Sequence, residues 1–220
     1  MIAGMNMGSM DSMDSMDMKP SNNGMSGVIN LSKGQKINLS KSKPSLKKIM
    51  VGLGWDVAVY SGSADFDLDA SVFLQDEQGR TEPHNFIFYN NLSSVDGSVV
   101  HQGDNRTGDG DGDDEKIFID LTKLPENIKK IAIVVTIDSA DVRGQNFGMV
   151  DNAYCRLVND ETGEEEARFD LGEDFSLETA VVIGEVYKYN NDWNFRAIGQ
   201  GFNGGLLAVC NRYGLQAEYR

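Results

Sequence analysis

Cysteine and histidine are nearly absent from this 220-residue chain. Cys155 and Cys210 stand far apart and outside any Cys-x-x-Cys pair. Zinc-ribbon and thioredoxin-type centres therefore have no support; two free buried thiols are expected, with a single disulfide as the alternative. His84 and His101 are the two histidines, both read as lying in polar loops, and no Gly-x-Ser-x-Gly turn accompanies them. A serine-hydrolase apparatus thus has no basis. No apolar run approaches the roughly 18 residues of a membrane span. The N-terminus shows neither the basic nor the apolar region of a secretory signal, so a cytoplasmic protein is expected. Positive charge is also scarce: 20 Lys and Arg face 34 Asp and Glu, a formal net charge of −14. A nucleic-acid partner is excluded on that balance, because such proteins neutralise phosphates with clustered basic side chains.

What remains divides into two parts. Residues 1–27, with the repeated Asp-Ser-Met of "MGSMDSMDSMDM", lack aromatic residues and helical periodicity. They read as a disordered leader or an expression remnant rather than a thioether copper site. Residues 28–220 read as one domain. Short β-rich runs such as "KKIMVGLGW" (47–55), "DLDASVFLQ" (67–75), "KIFIDL" (116–121) and "AVVIGEVYKYN" (180–190) recur between Gly, Ser, Asp and Pro punctuation. The fold class is accordingly all-β, a β-sandwich of two antiparallel sheets with a short C-terminal helix and minor helical turns. "DETGEE" (160–165) predicts a hairpin turn with Gly163 at positive φ. The helix is predicted over "GGLLAVCNRYG", capped by Asn203 and ended by Gly214, and "DLTKLPENI" (120–128) is read as one further helical turn. "KSKPSLKK" (41–48) reads as a sheet edge blunted by lysine.

The sharpest feature is "GDNRTGDGDGDDEKIFIDL" (103–121). Asp104, Asp109, Asp111, Asp113, Asp114 and Glu115 crowd against a single base, Arg106, with glycines at 108, 110 and 112. Like charges several Å apart repel by roughly 1 kcal/mol per pair near a surface. A hard divalent cation would remove that repulsion, and short carboxylates on a glycine-rich backbone suit calcium or magnesium. The stretch is not an EF-hand: Asp114 stands where the loop needs glycine, Asp120 where it needs glutamate, and strands flank it. One loop cannot supply the 6–8 oxygens calcium takes. "DFDLDAS" offers Asp65, Asp67 and Asp69 on one strand face, and "FYNN" offers the Asn90 and Asn91 amides.

Two other readings were set against this one. "GQGFNG" (199–204) fits Gly-x-Gly-x-x-Gly between a strand and a helix. Too little chain follows for the returning parallel strand and ribose-binding acid of a dinucleotide fold, so the glycines are read as a tight strand-to-helix turn. A metal-dependent hydrolase acting on a phosphate ester is the alternative function, with His101 near the acidic stretch as its candidate base.

Taken together, "GLGWD" (52–56), "DFDLDAS" (65–71), "FIFYNN" (86–91), "GDNRTGDGDGDDE" (103–115), "RGQNFGMVDNAYCRL" (143–157) and "WNFRAIGQGFNGGL" (193–206) resemble the TerD family of tellurium-resistance and stress-response proteins. The resemblance implies a non-enzymatic β-sandwich holding about two Ca²⁺ in Asp-rich loops at one end. The implied calcium positions fall among Asp67, Asp69, Asn90, Asn91, Asp104, Asp109, Asp111, Asp113, Asp114 and Glu115. It also implies partners among the proteins of a stress-response complex, at the inner face of a membrane.

Overall fold

The structure is a computed structural model; it describes residues 28–42, 46–56, 66–103, 112–171 and 175–216. Two six-stranded sheets stack face to face. The first runs β1 (Ile29–Asn30), β10 (Glu165–Asp170), β9 (Asp151–Asn159), β3 (Lys48–Asp56), β7 (Glu115–Asp120) and β6 (Val99–His101). The second runs β2 (Lys36–Asn38), β12 (Asp192–Phe202), β11 (Ala180–Tyr189), β8 (Lys130–Ile137), β4 (Leu68–Gln75) and β5 (Phe86–Ile87). Every pairing is antiparallel except that of β1 with β10. All four edge strands are two or three residues long. Such short edges leave little free ladder for another chain to pair with.

Alternation decides which side chains enter the space between the sheets. Val51, Leu53 and Trp55 of β3 meet Leu68, Ala70 and Val72 of β4, with Ile117 and Ile119 of β7 beside them. The second sheet is also covered on its outer face. Phe73, Ala132, Val134 and Val182 pack there against Val209, Cys210 and Tyr213, the last three carried on or just after α3 (Gly205–Arg212). Strands buried on both faces need apolar residues at consecutive positions, which is why β4 and β8 read as near-continuous runs. In β11 the register shifts between Val182 and Gly184. The core side then moves from Val181 and Ile183 to Val186.

Several local expectations need correction. α3 begins at Gly204, not Asn203: the Gly204 and Gly205 N–H groups donate to Thr179 Oγ1 at 3.2 and 2.9 Å. A hydroxyl distant in sequence replaces the local cap. Residues 120–128 form turns without helix, because the Asp120 carboxylate binds the Thr122 N–H and hydroxyl and fixes a local turn. Two four-residue helices, α1 (Leu39–Ser42) and α2 (Ala140–Arg143), were not anticipated. Lys47 and Lys48 do not blunt an edge; they lie at the start of β3, a central strand. The 160–165 turn is as predicted, with Gly163 at φ 74°. Gly199 and Gly204 take φ 55° and 97° where the antiparallel β12 turns into α3, so the dinucleotide geometry is absent there. Both cysteines are free and buried, and burial pushes their thiols up, Cys155 to about 12 and Cys210 to about 11. The leader 1–27 lies outside the described residues.

Candidate metal centre

The described acids among those that the sequence groups together, Asp67, Asp69, Asp113, Asp114 and Glu115, do not share one surface of the sandwich. Asp67 and Asp69 flank Leu68, whose side chain enters the inter-sheet core, so Asp69 is turned to the outer face of the second sheet. Both are nearly buried, 6% and 7% exposed. The Asp67 carbonyl accepts the Asp138 N–H at 2.8 Å, and Asp69 is opposite Thr136. The upper end of β4 is thereby tied to the segment that follows β8.

Glu115 opens β7 on its inner side and lies between the sheets, 1% exposed. Its Oε2 accepts the Ala70 N–H from the opposite sheet. His101 of β6 stands beside it, with Nε2 3.1 Å from the Ala70 carbonyl and 3.7 Å from Glu115 Oε2. The Gly103 N–H donates to His101 Nδ1 at 3.0 Å. Since Nδ1 accepts, Nε2 carries the proton and donates to Ala70. A chain of hydrogen bonds thus runs from Gly103 through His101 and Ala70 to Glu115. Both ends of the acidic segment are tied to one residue, and that residue follows Asp69. His101 is consequently buried, 2% exposed, and not in the polar loop the sequence suggested.

Asp114 and Asp113 face elsewhere. Asp114 Oδ2 accepts the Trp55 N–H at 3.0 Å, and its own N–H donates to the Leu53 carbonyl at 2.8 Å. The segment is therefore sewn to β3 just before β7 begins. Asp113 lies over the outer face of the first sheet with its side chain fully shielded. Arg156 holds it in a two-pronged ion pair, Nε to Oδ1 at 2.7 Å and Nη2 to Oδ2 at 2.9 Å, and the Tyr154 hydroxyl adds a third bond at 3.2 Å. The Asp113 hydrogen bonds push the Arg156 pKa up, against the downward push of burial. Burial pushes the Tyr154 phenol up, and the Asp113 charge adds to it.

Glycine makes that arrangement possible. A Cβ at Gly52 would overlap the Asp113 carboxylate, and one at Gly54 would overlap the Tyr154 ring. The "GLGWD" stretch clears a trough on β3 in which the acid and the phenol lie. Arg156 and Tyr154 were not singled out in the sequence. The signal for them was the alternation of glycine in β3, which implies that something crosses it closely.

Asn90 and Asn91 sit in a tight turn closed by reciprocal Phe88 and Asn91 backbone bonds of 3.1 and 2.9 Å. Asn91 Nδ2 donates to the Phe86 carbonyl at 2.7 Å, while Asn90 is exposed at the tip. Asp65, Asp104, Asp109 and Asp111 lie outside the described residues. Among the described residues no three His, Cys, Asp or Glu side chains are gathered as a metal would require.

The TerD domain model matches residues 27–213. The chain belongs to the TerD family. It is 55% identical over 190 residues to general stress protein 16U of Bacillus subtilis (strain 168), covering 86% of this chain and 98% of that one. It is 54% identical over 191 residues to tellurium resistance protein TerD of Serratia marcescens, covering 86% and 99%. A solved structure of a homologue of telluride resistance protein TerD from Streptomyces coelicolor A3(2) superposes with a TM-score of 0.64 at 22% identity, over 79% of this chain and all of that one. That likeness bears on the fold, and the TerD sandwich is the architecture found here. No helix among the described residues is long and apolar enough to cross a membrane.

Proposed function

We propose that this TerD protein is a calcium-binding, non-enzymatic component of a stress response, whose Asp-rich end takes up about two Ca²⁺ and orders a surface for a partner protein. The observation that carries the reading is the attachment of both ends of the acidic segment, through His101 and Glu115, to Ala70 beside Asp69. Gly103 and Glu115, the described residues on either side of that stretch, are thus both tied beside a buried carboxylate of another strand.

The donor chemistry suits a hard cation. Carboxylate oxygens at Asp67 and Asp69, with those of 104–111 and the amide oxygens of Asn90 or Asn91, are the ligands calcium selects. Bound there, calcium would supply charge neutralisation. Asp113 and Glu115 are assigned to anchoring rather than ligation, since Arg156 and the Ala70 N–H already engage them. Asp114, which holds the Trp55 N–H, can serve either part. A non-catalytic role is supported by His101, both of whose ring nitrogens are engaged in fixing the segment rather than aimed at a substrate. The relatives' names, stress protein and tellurium resistance protein, support the stress context. A cytoplasmic location, with partners in a complex at the inner face of a membrane, belongs to the same proposal.

Thermal unfolding after chelation, with calcium or magnesium restored, tests it alongside calorimetric titration. A saturable, calcium-selective rise in melting temperature that Asp69→Asn diminishes is expected, because a ligand of the folded state stabilises it by mass action. No shift and no binding heat with either ion would overturn the reading.

A further inference from the structure

We infer that the TerD domain carries a second binding site, for a small organic cation with an apolar body. A cavity of about 490 Å³ opens on the outer face of the second sheet, where the first half of α3, α2 and the turn after β5 meet. Pockets of about 300–1,000 Å³ hold small molecules.

Its walls are of two kinds. Phe86, Phe88, Leu206 and Leu207 supply an apolar lining. Phe86 and Phe88 stack at 4.2 Å, and Phe88 meets Tyr89 edge-on at 5.0 Å, so aromatic surface is concentrated on one side. Asp69, Asp138 and Asp141 supply carboxylates, and among the described residues no lysine or arginine lines the cavity.

Arg143 reaches Asp138 from outside at 3.2 Å, and the α3 N-terminus contributes about half a unit charge. These fall short of the Asp138 and Asp141 carboxylates, so that side of the mouth stays negative. An ammonium or guanidinium head gains from the acids and the aromatic faces together, while its hydrocarbon part covers the apolar wall. A carboxylate-bearing ligand of the same shape is repelled, and a bare metal ion leaves the apolar wall wet. Asp69 is shared with the calcium reading, but Asp138 and Asp141 are not among its ligands, and the inference rests on those two.

The test uses the full chain in chelator, so that failure of the calcium proposal does not affect it. Phenylbutylammonium and phenylbutyrate, which share a body and differ in charge, are titrated calorimetrically. Saturable binding of the cation is expected, with the anion at least about tenfold weaker. An Asp138→Asn/Asp141→Asn double variant with an unchanged melting temperature should lose about tenfold in affinity for the cation. Equal binding of the two probes, absence of saturable cation binding, or full affinity in the folded double variant would each overturn the inference. The probe pair decides the matter on the unmodified chain even if the double variant does not fold.

Discussion

The two outer faces of the sandwich solve the same problem in opposite ways. On the second sheet, α3 lays Val209, Cys210 and Tyr213 over Phe73, Val134 and Val182, making a second dry layer. Phe73 stacks on Phe86 at 4.4 Å and tilts against Tyr213 at 4.9 Å. On the first sheet no helix among the described residues covers the strands. A polar lattice crosses them instead: Asp113, Arg156 and Glu165 in sequence, with Arg168 over the Tyr154 ring at 3.7 Å. One face is held by area removed from water, the other by directed bonds laid over glycine. The lesson is that a charged face can hold the acidic segment in place, because its partners are specific groups rather than bulk apolar surface.

The most severe break should come on the dry side. Phe73→Ala is expected to cost about 3–5 kcal/mol of unfolding free energy in urea, since the side chain is fully buried. Tyr154→Ala on the polar face should cost clearly less, and equal losses would refute the contrast between the two faces. Next in size is Arg156→Ala, at about 1–3 kcal/mol, as it strands the shielded Asp113 carboxylate while Arg156 itself keeps some solvent. A double-mutant cycle with Asp113→Asn checks it; a coupling energy near zero would show that the pair is ornamental. Thr179→Ala should loosen the start of α3 by about 1 kcal/mol, seen as faster amide exchange at Gly204 and Gly205.

The smallest effect concerns pH. Burial pushes the Asp96 carboxyl up, but hydrogen bonds from Ser98 and Ser94 outweigh it and leave the group below its ordinary value. A carboxyl with a depressed native pKa adds stability above the ordinary carboxylate range, and that stability is lost as pH falls through the depressed value. Asp96→Asn should therefore be less stable than the parent at neutral pH, by under about 1 kcal/mol, with the gap closing as pH falls below the ordinary carboxylate range. A gap that widens on acidification would contradict the assignment.

Much of this was legible in the residues. Alternating and continuous apolar runs marked the strands, since a sheet face has only two sides to satisfy. Gly163 marked its hairpin, and the acid-glycine stretch marked the end of the sandwich where a cation is proposed. The edge strands β1 and β6 escaped notice because two or three residues carry no period, as with Val99–His101. The cap of α3 escaped because Thr179 is remote from Gly204 in sequence. The acids were read as one set because adjacency along the chain was all there was to read. Folding separates Asp113, Glu115 and Asp69 onto the first sheet's outer face, the inter-sheet space and the second sheet's outer face.

By itself, then, the order of residues determined the fold class and the concentration of acid in one stretch, because hydrophobic period and charge density are local properties. Tertiary structure alone decided that both thiols are free and which partners Asp113, Asp114 and Glu115 bind. It also made the cavity beside α3, whose walls come from segments more than a hundred residues apart, from Phe86 to Leu207. Those depend on which side chains meet across two sheets, and no spacing along a strand encodes that meeting.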